Sequence, residues 1–150
     1  MDKTFYITTP IYYPSAKPHM GHAYSSIIAD FFARFKIIDD YQVHFLTGTD
    51  EHGLKIQRSA EKAGKEPQIF CDQISQTFRD LSDTLNLSNT DFIRTTEARH
   101  KKTVQHLWNE LEKNDDIYLS NYSGWYSVSD EAFYNEDEIE ELDGKKIAIS

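Results

Sequence analysis

The pattern that most constrains the fold is an alternation of short strands and helices at the start of the chain. The β-branched and aromatic runs Phe5–Thr9 and Val43–Thr47 predict two buried strands. A helix is predicted from about Gly21 to Asp39, and another from Leu54 to Ala63. Strand, helix, strand, helix is the opening of a parallel sheet, so we predict an α/β fold.

Two loops follow these predicted strands. One runs from Pro10 to His22, and the other runs from Gly48 to Gly53. In parallel α/β sheets, ligands bind outside the carboxyl ends of the strands. We therefore expect both loops to open onto the same edge of the sheet, and we expect the functional site there.

Apolar residues at helical spacing predict the buried sides of three helices. The first helix carries one apolar stripe, formed by Ile27, Ile28, Phe31, Phe32 and Phe35. A helix opening at Pro67 is predicted to bury Phe70, Ile74, Phe78, Leu81 and Leu85, with Cys71 beside them as a small buried hydrophobe. A helix with Thr96 as its N-cap, running to Glu112, is predicted to have a core side of Val104, Leu107, Trp108 and Leu111.

The character of the sequence changes near Ile117. Aromatic residues there stand among Ser, Asn and Gly, which predicts short strands and turns. The acidic stretch Asn135–Asp143 is interpreted as a solvated loop or helix face.

Composition excludes several classes of protein. The net charge of -9 argues against non-specific binding of DNA or RNA, although an RNA substrate could be held by a segment outside this sequence. The one cysteine excludes an intramolecular disulfide and a Cys-rich zinc site. No apolar run approaches the roughly 20 residues of a membrane span, and the start lacks a secretory signal. We predict a soluble cytoplasmic protein with no membrane partner.

The segment His19-Met20-Gly21-His22 stands where the first helix begins. Backbone N–H groups at a helix N-terminus favour anions, and Gly21 lets a flat ring or a phosphate approach the backbone. His19 and His22 lie on one helix face and can donate hydrogen bonds to phosphate oxygens. The alternative is a helix start with two surface histidines, since this spacing alone is a weak signal.

Other polar and aromatic residues flank the same predicted edge. Asp50 could hold a substrate ammonium group, or it could be a turn aspartate bonded to its own backbone. Glu51 and His52 could be turn residues or a metal pair. Tyr12 or Tyr13 could line a small apolar pocket, or both could be ordinary packing aromatics.

Four segments together resemble a known family in order along the chain. They are Thr8–Tyr13 with His19–His22, Phe45–Gly53, Asp91–Glu97 with Arg99–Lys102, and Gly124–Glu131. They are similar to the opening blocks of methionyl-tRNA synthetases, which are class I aminoacyl-tRNA synthetases. Four ordered blocks are far more specific than the histidine motif alone.

The resemblance implies a function and a set of site residues. The family makes methionyl-adenylate from methionine and ATP, with Mg²⁺ accompanying the ATP, and then transfers methionine to its tRNA. By resemblance, His19 and His22 are catalytic and bind ATP, and Gly21 leaves room for adenine. Asp50 holds the methionine ammonium group. The remaining residues implied to contact methionine are Pro10, Ile11 and Tyr13.

Two departures from the family pattern are expected to matter. The positions of a zinc-binding Cys-x-x-Cys in many members are Ser127 and Asp130 here, so we predict no structural zinc. The family is also longer than 150 residues. We expect residues 1–115 to be the first half of a Rossmann-like catalytic domain and residues 116–150 to begin an inserted connective domain. We expect such a piece to be unable to aminoacylate tRNA alone.

Two other functions are compatible with parts of the pattern. Small nucleotidyltransferases also carry His-x-Gly-His near a first strand, although the Pro10–Tyr13 and Gly48–Gly53 segments argue against that class. A non-catalytic paralogue could bind the same ligands without turnover, although the intact His19, Gly21, His22 and Asp50 argue against it.

Overall fold

The computed structural model describes residues 3–128, 130–142 and 144–148, so Ser129 and Asp143 of the predictions above lie outside the described residues. The chain divides into two compact units, residues 1–107 and 108–150. The elements of the first unit are β1 (Thr4–Thr8), α1 (Met20–Ile38), β2 (Gln42–Thr49), α2 (Leu54–Lys62), α3 (Pro67–Thr84), β3 (Asp91–Arg94) and most of α4 (Ala98–Lys113). The predicted order of strands and helices is confirmed, but the sequence pattern did not predict β3.

The three strands form one parallel sheet in the order β1-β2-β3. In the register, Thr4 pairs with Gln42, and Leu46 pairs with Asp91. A parallel sheet with helical crossovers is the predicted α/β class, and this prediction is confirmed.

Gly48 allows β2 and β3 to approach closely. A Cβ atom added at Gly48 would lie 2.0 Å from the carbonyl oxygen of Ile93 and 2.7 Å from the Ile93 side chain. The first distance is far inside van der Waals contact, so only glycine fits at this position of β2.

The apolar stripe of α1 is not its buried face. Phe31 is 64% exposed and Phe35 is 53% exposed. The residues of α1 that are buried are small or hydrogen-bonded: Ala23, Ser26, Ala29, Asp30 and Ala33. Small residues let the helix axis lie close to the sheet, where Ala29 and Ala33 pack against Phe45 of β2.

The buried carboxylate of Asp30 ties α1 to the loop before β3. It accepts hydrogen bonds from the Arg34 Nε at 2.6 Å, and from the backbone N–H and the hydroxyl of Ser88 at 2.5 and 2.6 Å. Burial raises the pKa of Asp30, but the hydrogen bonds from Ser88 and Arg34 outweigh it and hold the pKa below its ordinary value.

The predicted buried face of α3 is confirmed at its centre. Phe70 and Phe78 are buried, and Ile74 packs against a cluster of Tyr12, Phe78 and Phe92. Cys71 is buried as predicted, and burial raises the pKa of its thiol to about 11, so it is protonated at neutral pH.

The prediction for α4 is wrong in two respects. The helix begins at Ala98, and the Thr96 hydroxyl bonds to the Glu51 carboxylate instead of capping the helix. The predicted core residues Val104, Leu107 and Trp108 are all at least half exposed. Within the described part of the chain, no residue of α4 is buried.

The second unit contains the predicted short strands. β4 (Trp125–Ser127) pairs with β5 (Ala132–Tyr134), and β6 (Ile139–Leu142) pairs with β7 (Lys145–Ala148), both antiparallel. The described part of the acidic stretch, residues 135–142, is mostly exposed as predicted, but it forms a 3₁₀ turn and strand β6 instead of a loop or a helix face. No helix in the described ranges is long and apolar enough to cross a membrane.

Substitution Gly48→Ala should destabilise the first unit by roughly 1–3 kcal/mol, because the new methyl group would force β2 away from β3. Urea denaturation followed by circular dichroism measures this loss. Gly124→Ala is a control with the same chemical change, because a Cβ there would meet its nearest neighbour at 3.4 Å. Equal stability of the Gly48 variant and the parent protein would contradict the close approach.

Candidate active site

The two predicted loops lie side by side at the carboxyl ends of β1 and β2. Tyr12 forms an isolated parallel bridge with Thr49 beyond the end of β1. The Tyr12 N–H donates to the Gly48 carbonyl at 3.0 Å, and the Asp50 N–H donates to the Tyr12 carbonyl at 2.9 Å. The structure therefore brings the loops to one edge of the sheet, as predicted.

The histidine motif forms the N-terminus of α1. His19 is the N-cap residue, and its Nδ1 accepts a hydrogen bond from the Gly21 N–H at 3.0 Å. The His22 Nδ1 accepts from the His19 N–H at the same distance. Because both Nδ1 atoms are acceptors, the proton of each neutral ring lies on Nε2. Each ring thus keeps one N–H donor for a ligand.

The two imidazole rings lie close together. Their centroids are 3.9 Å apart with planes tilted by 35°. Partial burial lowers the pKa of His22 from its ordinary value, and the positive charge of a protonated His19 lowers it further. The geometry favours a pair of neutral donors at the positive end of the helix dipole, where anions bind.

Gly21 makes room for the capping ring. A Cβ atom at this position would lie 2.9 Å from Cε1 of His19 and 3.1 Å from its Nδ1. The absence of a side chain at Gly21 therefore has a structural reason inside the motif, in addition to the role toward adenine implied by the resemblance.

Asp50 lies directly after β2 and is partly exposed. Its Oδ1 accepts hydrogen bonds from the His52 N–H and from the Thr95 hydroxyl, both at 3.5 Å. These distances are at the long limit for hydrogen bonds, so the carboxylate keeps most of its accepting capacity for a cationic ligand. The hydrogen bond from the His52 N–H to Asp50 therefore does not prevent Asp50 from also accepting a hydrogen bond from an ammonium group.

The other residues predicted to contact methionine are exposed. Pro10 accepts a hydrogen bond at its carbonyl from the Thr9 hydroxyl at 2.9 Å. Ile11 is 47% exposed, and the ring of Tyr13 lies 5.8 Å from the amine of Lys55. Their contact with methionine stays a prediction.

Glu51 is the centre of a buried polar network that sequence reasoning missed. Its side chain is inaccessible to solvent. The Arg94 Nε donates to Oε1 at 2.6 Å, and an Arg94 Nη2–H donates to Oε2 at 2.9 Å. The hydroxyls of Thr49 and Thr96 donate to the same carboxylate. Burial raises the pKa of Glu51, but these hydrogen bonds outweigh it, so the pKa lies below its ordinary value.

The structure favours turn and scaffold roles for Glu51 and His52 over a metal pair. The carboxylate of Glu51 is engaged by Arg94, and the Nε2 of His52 lies 3.3 Å from the Thr95 carbonyl oxygen. Among residues 3–128, 130–142 and 144–148, no three His, Cys, Asp or Glu side chains are placed together to hold a metal ion.

Ser127 and Asp130 occupy the positions implied for zinc ligands by the resemblance. The Ser127 hydroxyl donates to Oδ2 of Asp130 at 2.6 Å, and the Tyr134 hydroxyl donates to the same oxygen at 3.2 Å. A hydroxyl and one carboxylate do not supply the thiolate and imidazole ligands of structural zinc sites. The residues present therefore do not fit a structural zinc ion.

A parallel α/β unit with a histidine-capped helix and an acidic group at one sheet edge has the architecture typical of nucleotide-binding proteins. A family model described as tRNA synthetases class I (M) matches residues 5–143. The chain therefore belongs to this family of class I tRNA synthetases.

Two similar proteins carry the same enzyme name. The chain is 50% identical over 152 aligned residues to a protein named mitochondrial methionine–tRNA ligase from Takifugu rubripes, covering 99% of this chain and 26% of the relative. It is 55% identical to a methionine–tRNA ligase from Rickettsia prowazekii, covering 94% of this chain and 28% of the relative.

A solved structure supports the same family. The Mycobacterium tuberculosis methionyl-tRNA synthetase bound by methionyl-adenylate matches with a TM-score of 0.93 at 48% identity, covering 98% of this chain and 29% of that protein. The chain thus spans about a quarter of the length of these relatives. The predicted resemblance to methionyl-tRNA synthetases is confirmed, whereas the individual site residues and the boundary at residue 115 stay predictions.

Substitution Glu51→Gln should destabilise the first unit by about 3–5 kcal/mol at neutral pH, because it leaves Arg94 without its buried counter-charge. Asp72→Asn is the matched control, since Asp72 contacts the same arginine at 2.5 Å but is about half exposed. That control should cost no more than about 1 kcal/mol. Similar losses in the two variants, measured by urea denaturation, would contradict a central role for Glu51.

The same pair predicts a pH dependence. Because folding lowers the pKa of Glu51, its contribution is complete above the ordinary glutamate pKa of about 4.3 and is lost as the pH falls through the folded value. The stability difference between the parent and Glu51→Gln should therefore shrink on acidification. A difference that stays constant from neutral pH to below pH 4 would refute the ionised state of Glu51.

Proposed function

We propose that the protein is a methionine–tRNA ligase, which activates methionine with ATP and transfers the methionyl group to tRNA. The observation that carries this proposal is the placement of the His19 and His22 rings and the Asp50 carboxylate at one edge of the parallel sheet, in a chain that a class I tRNA synthetase model matches. The choice of methionine and tRNA as substrates rests on the names of the relatives.

The first step joins methionine to the α-phosphate of ATP. A carboxylate oxygen of methionine attacks the α-phosphorus, the bond from phosphorus to the bridging oxygen breaks, and pyrophosphate leaves with that electron pair. The step needs no protein nucleophile, so the protein contributes positioning and charge stabilisation. The Nε2–H groups of His19 and His22 donate to the phosphate oxygens, and Mg²⁺ enters with ATP as part of the substrate.

Asp50 binds the other end of methionine. Its carboxylate accepts a charge-assisted hydrogen bond from the methionine ammonium group. Ile11 and Tyr13, with Pro10 beside them, contact the methionine side chain, and their exposure leaves those surfaces accessible to a ligand. Gly21 adds no side chain at the helix start, where the resemblance implies that adenine binds.

The transfer step requires tRNA. The net charge of -9 gives this chain little attraction for RNA, and about three quarters of the length of the relatives lies outside the matched region. The proposed transfer step therefore depends on the part of the relatives that this chain does not match. A cytoplasmic location agrees with the bacterial relatives, and the Takifugu rubripes relative makes the mitochondrion the alternative.

The proposed function is tested by exchange of labelled pyrophosphate into ATP, with the full-length product of the gene. Exchange should depend on methionine and should be absent with ATP alone or with other amino acids. Turnover of ATP with phosphopantetheine or another alcohol phosphate, without methionine, would replace the proposal with a nucleotidyltransferase. Binding of methionine and ATP without exchange would indicate a non-catalytic paralogue.

Substitution His22→Ala should slow exchange by about 100-fold at saturating methionine, because it removes a donor to the charge that develops on the phosphate. The methionine KM should change little. His106→Ala is the control, because His106 is exposed on α4. An unchanged rate in the His22 variant would remove this residue from the catalytic step.

Substitution Asp50→Ala should raise the methionine KM by about 10- to 100-fold, which corresponds to the ~1.5–3 kcal/mol of a hydrogen bond to a charged group. The ATP KM should stay near its parent value. Asp83→Ala, on the exposed side of α3, is the control. Equal methionine affinity of the parent and the Asp50 variant would refute the ammonium role.

A further inference from the structure

Tyr12 lies where the two halves of the proposed site meet. One half is the histidine motif, and the other is the loop that carries Asp50. The backbone of Tyr12 is bonded to the Asp50 loop: its carbonyl oxygen accepts the Asp50 N–H at 2.9 Å, and its N–H donates to the Gly48 carbonyl at 3.0 Å. These bonds continue the β1–β2 pairing past the end of strand β1. The backbone at Asp50 is therefore held directly by the backbone at Tyr12.

The side chain of Tyr12 packs against the histidine motif. It is 7% exposed, and its ring stacks on Phe78 with centroids 5.5 Å apart. The edge-to-face contact with the His22 ring has a centroid distance of 4.8 Å and an interplanar angle of 73°. The His22 ring makes a similar edge contact with Phe78 at 5.1 Å. The imidazole is thus held by two aromatic rings on one side.

The phenol hydroxyl of Tyr12 joins this ring to α1. It lies 2.9 Å from Oγ of Ser26, 3.0 Å from Oγ of Ser25 and 3.3 Å from the carbonyl oxygen of His22. The Ser25 hydroxyl is within donating distance of the carbonyl oxygens of Gly21 and His22, so its oxygen can accept the phenol proton. The hydroxyl therefore fixes the first turn of α1, which carries the histidines.

We propose that Tyr12 is a positioning residue that sets the separation between the phosphate-binding histidines and the ammonium-binding Asp50. This inference rests on the proposed function. Adenylation requires the methionine carboxylate to lie about 3–3.5 Å from the α-phosphorus, and methionine and ATP are held by different loops. Tyr12 connects these loops through its backbone on one side and its side chain on the other.

The backbone and the hydroxyl of Tyr12 contact different parts of the proposed site, so one substitution can remove the second set of contacts and keep the first. Substitution Tyr12→Phe keeps the backbone bonds to Gly48 and Asp50 and the stacked ring, but it removes the hydroxyl that holds α1. Binding of methionine at Asp50 should then persist, whereas the histidines should be less well aligned with the phosphates.

The test compares Tyr12→Phe with Tyr24→Phe in the full-length product of the gene. Tyr24 is the control because it is a 68% exposed tyrosine on the same helix. In methionine-dependent exchange, Tyr12→Phe should lower kcat by about 10-fold or more while the methionine KM stays within about twofold. The Tyr24 variant should match the parent. An unchanged kcat, or a methionine KM that rises in step with the fall in kcat, would overturn the proposal.

A second readout needs no substrate. The titration of the His22 ring, followed by NMR, should move to higher pH in Tyr12→Phe, because the His22 imidazole is less buried once α1 loses the phenol hydroxyl. The titration should not move in Tyr24→Phe. If the parent protein shows no methionine-dependent exchange, the proposed function fails while this titration still decides whether Tyr12 holds His22. A titration identical to that of the parent, even with lowered stability, would show that Tyr12 has only a structural role.

Discussion

The ion pair between Glu51 and Arg94 is the interaction on which the proposed site depends. Its carboxylate is fully inaccessible, and the arginine reaches it with two N–H groups from the neighbouring strand. A buried charge of this kind is tolerated only when its partner and its remaining lone pairs are satisfied, here by Thr49 and Thr96. The pair therefore fixes the ends of β2 and β3 in one relative position.

The hydrogen bonds around this pair extend to Asp50, the residue before Glu51. The backbone N–H of Glu51 donates to the Thr95 hydroxyl at 2.8 Å, and the Thr95 hydroxyl reaches Oδ1 of Asp50. Because the Thr95 oxygen accepts from Glu51, its own proton is available for Asp50. The buried Glu51 is thus linked through Thr95 to its partly exposed neighbour Asp50, by one hydrogen bond of ordinary length and one long one. Alternation along an extended chain makes this arrangement natural.

How far the sequence predicted the fold depends on the range of each interaction. Strands β1 and β2 and the start of α1 have local signals, namely apolar runs, prolines and a glycine within a few residues. β3 has only four residues and ends in charged side chains at Asp91 and Arg94, so it has no strand signal of its own. The buried face of α1 was misjudged because periodicity identifies the most apolar side of a helix, whereas close packing on the sheet selected Ala29 and Ala33.

The site was predictable to a similar extent. The histidines and Asp50 were predictable because they follow strands in the sequence. The role of Glu51 was ambiguous because its partner, Arg94, lies 43 positions away. Tyr12 and Tyr13 are adjacent, and an extended chain sends adjacent side chains in opposite directions. The sequence could not indicate which ring turns inward, and the structure buries Tyr12 while leaving Tyr13 exposed.

The capping geometry also constrains the protonation of the two histidine rings. Two protonated rings with centroids 3.9 Å apart would repel each other, and each would place a proton on an Nδ1 that now accepts a backbone N–H. The Gly21 N–H donates to the His19 ring, and the His22 and Ala23 N–H groups donate to the His19 carbonyl, so the motif leaves the two Nε2–H groups as donors to a ligand. In the adenylation that we propose, such fixed donors would stabilise developing negative charge without having to reorient. The spacing of three between His19 and His22 lets each ring accept one N–H of the helix start, while Gly21 leaves space for the first ring.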